Sequence, residues 1–107
     1  MNYNQFLYTK LAEEASEVAQ AALKVALFGP DNKDPRLLNS PTNLKHLENE
    51  VNDFCAVMSL INEPSHETGE EFPVDIYDSH IQRKMKQLKV QYEVIKGIQE
   101  RKENDFS

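Results

Sequence analysis

The sequence predicts an all-α protein: a helical bundle of three long helices, with room for a short fourth turn, completed by homo-oligomerisation. Three observations lead there. Apolar residues recur at intervals of three and four through each long segment, the period of one helix face. The breaks between segments fall at Gly29-Pro30, Ser40-Pro41 and Pro64, residues that stop or start helices. No stretch alternates apolar and polar residues as a half-buried strand would. The 107 residues suit a single domain with a modest core. That core is expected over about residues 4–97, with 98–107 a fraying tail.

The first helix is expected from about residue 4 to about residue 28, capped by Asn2 or Asn4. Alanines at 12, 15, 19, 21, 22 and 26 favour helix and allow a second helix to approach closely. Residues 29–40, rich in Pro, Asn and Asp, read as loop. Ser40-Pro41 opens the second helix, with a hydroxyl at the cap and proline in the first turn. Pro64 closes it after Glu63. Residues 65–73 read as an exposed connection, and a third helix follows from about Val74. Ile81, Met85, Leu88, Tyr92 and Ile95 form its stripe, and Gly97 weakens it. The small-residue face of the first helix and the length of the third leave more apolar surface than three helices cover, so a homodimer or homotetramer is expected.

Charged residues make up 28% and hydrophobic residues 39%, the balance of a soluble globular chain. The net charge of −6 opposes a nucleic-acid duplex or an anionic membrane as partner. It permits a small anionic ligand whose charge is bridged by metal ions. The single cysteine, Cys55, cannot form an internal disulfide, which suits a reducing compartment. Its place among apolar residues predicts a buried, inert thiol. No apolar run approaches the ~20 residues of a membrane span, and no basic-then-apolar leader stands at the N-terminus. A cytoplasmic protein is expected.

One pattern departs from ordinary amphipathic helices. Leu11-Ala-Glu-Glu-Ala-Ser-Glu17-Val18 is echoed 36 residues later by Leu47-Glu-Asn-Glu50-Val-Asn-Asp53-Phe54. On a helical wheel Leu7, Leu11, Val18 and Val25 share a narrow arc. Glu14 falls inside it, Glu17 on its border and Glu13 further out. In the second helix Leu47, Phe54, Val57 and Ile61 define the arc, with Glu50 inside it and Asp53 beside it. A carboxylate on the buried face needs a compensating cation. If the two helices pack antiparallel, Glu14, Glu17, Glu50 and Asp53 converge into a hard, all-oxygen site. Such a site suits Mg²⁺, or Mn²⁺ in its place, better than zinc. A di-iron centre would need Glu-x-x-His on facing helices, and Glu63-Pro-Ser-His66 is broken by its proline. His46 lies one turn before Glu50 and can touch the site, although a histidine so placed is more often a partly exposed neighbour than a ligand.

Glu13-Glu14-Ala-Ser-Glu17 followed by Glu50-Val-Asn-Asp53 resembles the EExxE…ExxD signature of the MazG-like, all-α nucleoside triphosphate pyrophosphohydrolases. Gln20-Ala-Ala-Leu-Lys24, Phe28-Gly-Pro-Asp31 and Thr42-Asn43 agree with it, and the similarity spans about residues 7–61. The 32 residues between Glu17 and Glu50 make a longer connection than the family usually shows. The resemblance implies Mg²⁺-dependent cleavage of a (d)NTP between its α and β phosphates, giving a (d)NMP and pyrophosphate. By motif position, Glu14, Glu17, Glu50 and Asp53 would be metal ligands, and Glu13 would bind a second ion or orient the attacking water. Lys24 matches a lysine common in the family, while Asn43, on the face of Glu50, could meet phosphate, sugar or base. Arg83, Lys84, Lys86 and Lys89 resemble the family's downstream basic segment, with Lys84 and Lys89 as substrate-binding candidates. Two other functions stay open at this point: a phosphoribosyl-ATP pyrophosphohydrolase-like enzyme, and a non-catalytic, metal-stabilised helical oligomer or regulator.

Overall fold

Asn2 opens α1 (Tyr3–Phe28). Its side chain accepts from the Gln5 backbone N–H at 2.8 Å, and the Gln5 side chain accepts from the Asn2 N–H at 2.9 Å. This reciprocal cap satisfies two donors that a bare helix end would leave unpaired. The computed structural model describes residues 1–33, 39–64 and 73–105. The loop readings at 34–38 and 65–72, His66, and the tail at 106–107 lie outside the described residues. At the other end of α1, Gly29 adopts φ 89°, ψ 158°, a region open almost only to glycine. Its N–H donates to the Val25 carbonyl at 2.9 Å.

The second helix, α2 (Asn43–Ile61), starts later than Ser40-Pro41 suggests, because Thr42 is its cap. The Thr42 hydroxyl accepts from the Lys45 N–H at 3.1 Å. The two preceding donors turn back to the end of α1: Asn43 N–H to the Asn32 carbonyl at 2.8 Å and Leu44 N–H to the Pro30 carbonyl at 2.9 Å. The regular ladder then begins with His46 donating to Thr42 at 2.9 Å. A start at Pro41 would forgo this pairing of the first-turn N–H groups. The helix closes at Asn62, whose side chain brackets Val74, accepting from its N–H at 2.8 Å and donating to its carbonyl at 3.1 Å.

Met1–Val74 and Asp75–Ser107 form two compact units. In the first, α1 packs against α2. The chain leaves α1 at Gly29 and re-enters α2 beside it, and Glu14 meets Glu50 and Asp53 further in, so the two helices run in opposite senses. The residues of α1 drawn away from solvent include the predicted arc, Leu7, Leu11, Glu14, Val18 and Val25, together with Ala21. Leu7 and Ala21 are almost fully buried, at 3% and 1% exposure. Ala21 is the one α1 alanine so enclosed, and it marks where a small side chain lets the helices close together. In α2 the corresponding seam holds Leu47, Glu50, Phe54, Val57 and Ile61. Cys55, one residue off that seam, is exposed, which corrects the expectation of a buried thiol.

The second unit carries α3 (Asp78–Asp105). It starts about a turn later than expected, with Asp78 placed favourably toward the dipole of its first turn. It also continues through Gly97 to Asp105, where fraying was expected. A helical glycine costs only about 1 kcal/mol, and the neighbouring Lys96, Gln99, Glu100, Arg101, Lys102 and Glu103 all favour helix. Three helices and, among the described residues, no strand make this an all-α protein. No helix among the described residues is long and apolar enough to cross a membrane.

Candidate functional site

The repeat of three- and four-residue spacings that buries Leu11 and Val18 carries Glu14 into the α1–α2 seam, and the same spacing carries Glu50 in from the other side. The Glu50 side chain is only 14% exposed. Glu14, Glu50 and Asp53 each offer a carboxylate oxygen, and these three oxygens lie within 4.8 Å of one another. Glu17, on the next turn of α1, adds its charge beside both Glu14 and Glu50. The repeated Leu-x-x-Glu-x-x-acid segments therefore meet across the helix pair.

Gathering these acids costs free energy. Desolvation, followed by the nearby charges of Glu17 and Asp53, pushes the Glu14 carboxyl above its usual range. The Glu50 carboxyl is also raised, first by the hydrogen bond it shares with Glu17 and then by desolvation. His46 opposes the shift, its Nε2 standing 3.8 Å from Glu50 Oε1. Even so, Glu14 Oε2 and Glu50 Oε2 are buried without a hydrogen-bond partner. Buried acceptors are normally satisfied, and a proton or a cation would satisfy these two.

The donor set fits a hard divalent cation. Every candidate ligand is a carboxylate oxygen, the preference of Mg²⁺ and Mn²⁺. Glu14, Glu50 and Asp53 would hold the ion, and Glu17, the more exposed of the α1 pair, faces it from the rim.

The other predicted residues are placed differently. Glu13 is exposed, and its Oε2 accepts from Lys10 Nζ at 2.9 Å. That contact, with the charge of Glu13, raises the Lys10 pKa. Lys10 was not singled out in the sequence, although its i,i+3 spacing from Glu13 was a readable signal. Lys24 is exposed, two turns and about 10 Å along α1 from Glu17. The Asn43 side-chain amide donates to the Gly29 carbonyl at 3.1 Å, a structural role that spacing alone did not reveal. Lys84 and Lys89 lie exposed on α3 in the second unit. Compared with protein-family models, curated proteins and solved structures, the chain matches none.

Proposed function

We propose that this protein is a Mg²⁺-dependent nucleoside triphosphate pyrophosphohydrolase of MazG-like type, cleaving a (d)NTP between its α and β phosphates. The observation that carries the reading is the pair of buried, partnerless oxygens of Glu14 and Glu50, two carboxylates that gather with Asp53 within 4.8 Å. It joins the EExxE…ExxD resemblance to a physical need for divalent cations. When bound, Mg²⁺ (or Mn²⁺) would offset the charge of both acids and triphosphate, polarise the phosphoryl oxygen and lower the pKa of water. Glu14, Glu17, Glu50 and Asp53 would be the ligands. Glu13 would orient the attacking water or take a second ion, with Lys10 fixing its carboxylate. Lys24, and Asn43 beside the anchored Gly29 carbonyl, are the first unit's candidates for phosphate, sugar or base contacts. Lys84 and Lys89 are those of the second. Positioning and charge neutralisation are the main work of phosphoryl transfer, so no protein nucleophile is called for. A cytoplasmic homodimer or homotetramer completes the reading.

The test incubates purified protein with a panel of NTPs and dNTPs, with and without Mg²⁺, and follows pyrophosphate and monophosphate release. Metal-dependent turnover that is abolished by Glu14→Gln and by Asp53→Asn is the expected result. Turnover of phosphoribosyl-ATP alone would select the histidine-pathway type of enzyme. No turnover on any substrate would leave a metal-stabilised, non-catalytic protein. Full activity in both variants would overturn the ligand assignment.

A further inference from the structure

The α3 stripe is long and regular, and nothing within its own unit covers it. Ile81, Met85, Leu88, Tyr92 and Ile95 are 41% to 63% exposed, and the helix has no buried residue. Their spacing of four, three, four and three is the seam of a two-stranded coiled coil. Ile81, Leu88 and Ile95 occupy one core position of the heptad, and Met85 and Tyr92 the other. We propose that this stripe is covered by the α3 of a second copy of the chain, running antiparallel.

Charge decides the direction. Residues 79–92 hold Arg83, Lys84, Lys86 and Lys89 and no acid. A parallel pair lays these two basic stretches side by side. It stacks Asp78 on Asp78 and Lys102 on Lys102 in the seam, and sets Lys84 beside Lys89 on both flanks. Two antiparallel registers form four apolar layers; in the one that also pairs charges, Leu88 meets Tyr92 and Met85 meets Ile95, each twice by symmetry. Asp78 at the start of α3 then meets Lys102 in its last turn, again twice. The basic residues 83–89 face 91–97, which contain both Glu93 and Lys96. One like-charge contact remains, Lys89 with Lys89 at the two-fold axis. An anionic surface fits less well, because Asp78, Glu93, Glu100, Glu103 and Asp105 are distributed along the same helix. The pairing does not rest on the catalytic reading, and a failed nucleotide assay would leave it intact.

Sedimentation velocity on the full chain tests the pairing, with Leu88→Lys, Asp78→Lys and the double exchange Asp78→Lys/Lys102→Asp. The expected result is a wild-type dimer whose dissociation constant rises at least about tenfold in Leu88→Lys, which places charge in the seam. Asp78→Lys should also weaken it, and the double exchange should restore it without any change in the apolar stripe. Direction is read from a spin label at Ser79→Cys in a Cys55→Ser background. Antiparallel helices set the two labels about 33 Å apart along the axis, at about 1.5 Å per residue, whereas parallel helices set them side by side. A wild-type chain that is monomeric at micromolar concentration, its stripe covered from within its own chain, would overturn the proposal. So would a dimer indifferent to Leu88→Lys, or a pair of adjacent labels.

Discussion

Replacing Gly29 by alanine should destabilise the helix pair through backbone conformation alone. At φ 89°, ψ 158° an L-residue is strained, while a β-carbon built there meets no atom within 4 Å. No clash or lost contact complicates the accounting, so the cost is the conformational one, about 1–3 kcal/mol. In a unit of this size each kcal/mol moves the midpoint by about 4–8 °C, so the Met1–Val74 unit should lose about 4–24 °C. Gly97→Ala is the internal contrast. It too has open space around the new carbon, but its backbone is helical, so α3 should gain about 1 kcal/mol of helix stability. Thermal melts followed by circular dichroism read both variants. A D-alanine introduced at 29 by semisynthesis should recover most of the loss, since its handedness suits positive φ. A Gly29→Ala midpoint within about 1 °C of wild type, or the same sign at both glycines, would refute the conformational reading. The Gly29 carbonyl also accepts from the Asn43 side chain, a second tie between the end of α1 and the start of α2.

Three further outcomes follow from the acids and the caps. In EDTA the protein should be most stable in mild acid. The raised Glu14 and Glu50 carboxyls keep protons in the folded state that the unfolded chain has released, so stability falls as pH rises through their folded values. Midpoints measured from about pH 5 to 8 that stayed flat or rose would contradict this. Glu50→Gln should raise the metal-free midpoint at neutral pH and remove the stabilisation that millimolar Mg²⁺ gives the wild type by mass action. A variant that kept the full Mg²⁺ shift would remove Glu50 from the ligand set. Asn62→Ala deletes the two hydrogen bonds to Val74, of 2.8 and 3.1 Å, at a cost of about 1 kcal/mol for so exposed a pair. Its sharper readout is amide exchange at Val74, and unchanged protection there would show that the bracket does not hold in solution.

Much of the helix pair was legible in the sequence because helical periodicity and burial are the same information. Leu7, Leu11, Val18 and Val25 repeat at the helical interval, and the packed seam follows them, carrying Glu14 and Glu50 inward. Boundaries were less legible. Ser40-Pro41 is a good start signal locally, but α2 begins where Pro30 and Asn32 carbonyls can receive its first donors, and that requires the end of α1 to be in place. Cys55 shows the same limit in a side chain: apolar neighbours in sequence do not imply burial when the helix turns about 100° between them. The Asn62–Val74 bracket spans a long connection and leaves no periodic trace at all.

The apolar arcs of α1 and α2 and the apolar stripe of α3 meet different fates within their units. On α1 and α2 the stripe is consumed by the helix pair, so an acid within it is partly desolvated, and a proton or a cation offsets that cost. Glu14 and Glu50 are in that position, each with an oxygen that meets no donor. Glu17 and Asp53, one turn away from them, stay exposed. Each helix thus supplies one half-buried acid and one exposed acid; under the proposed function the first would hold an ion from within and the second would reach it from the solvent side. Glu13 is set apart from both by its contact with Lys10. A charge-only view would rank five acids as equivalent ligands, whereas burial assigns the inner pair the tightest hold on a cation. Glu14→Gln and Glu50→Gln should therefore weaken Mg²⁺ binding more than Glu13→Gln does, and isothermal titration that ranked Glu13→Gln as the most damaging would reverse the assignment.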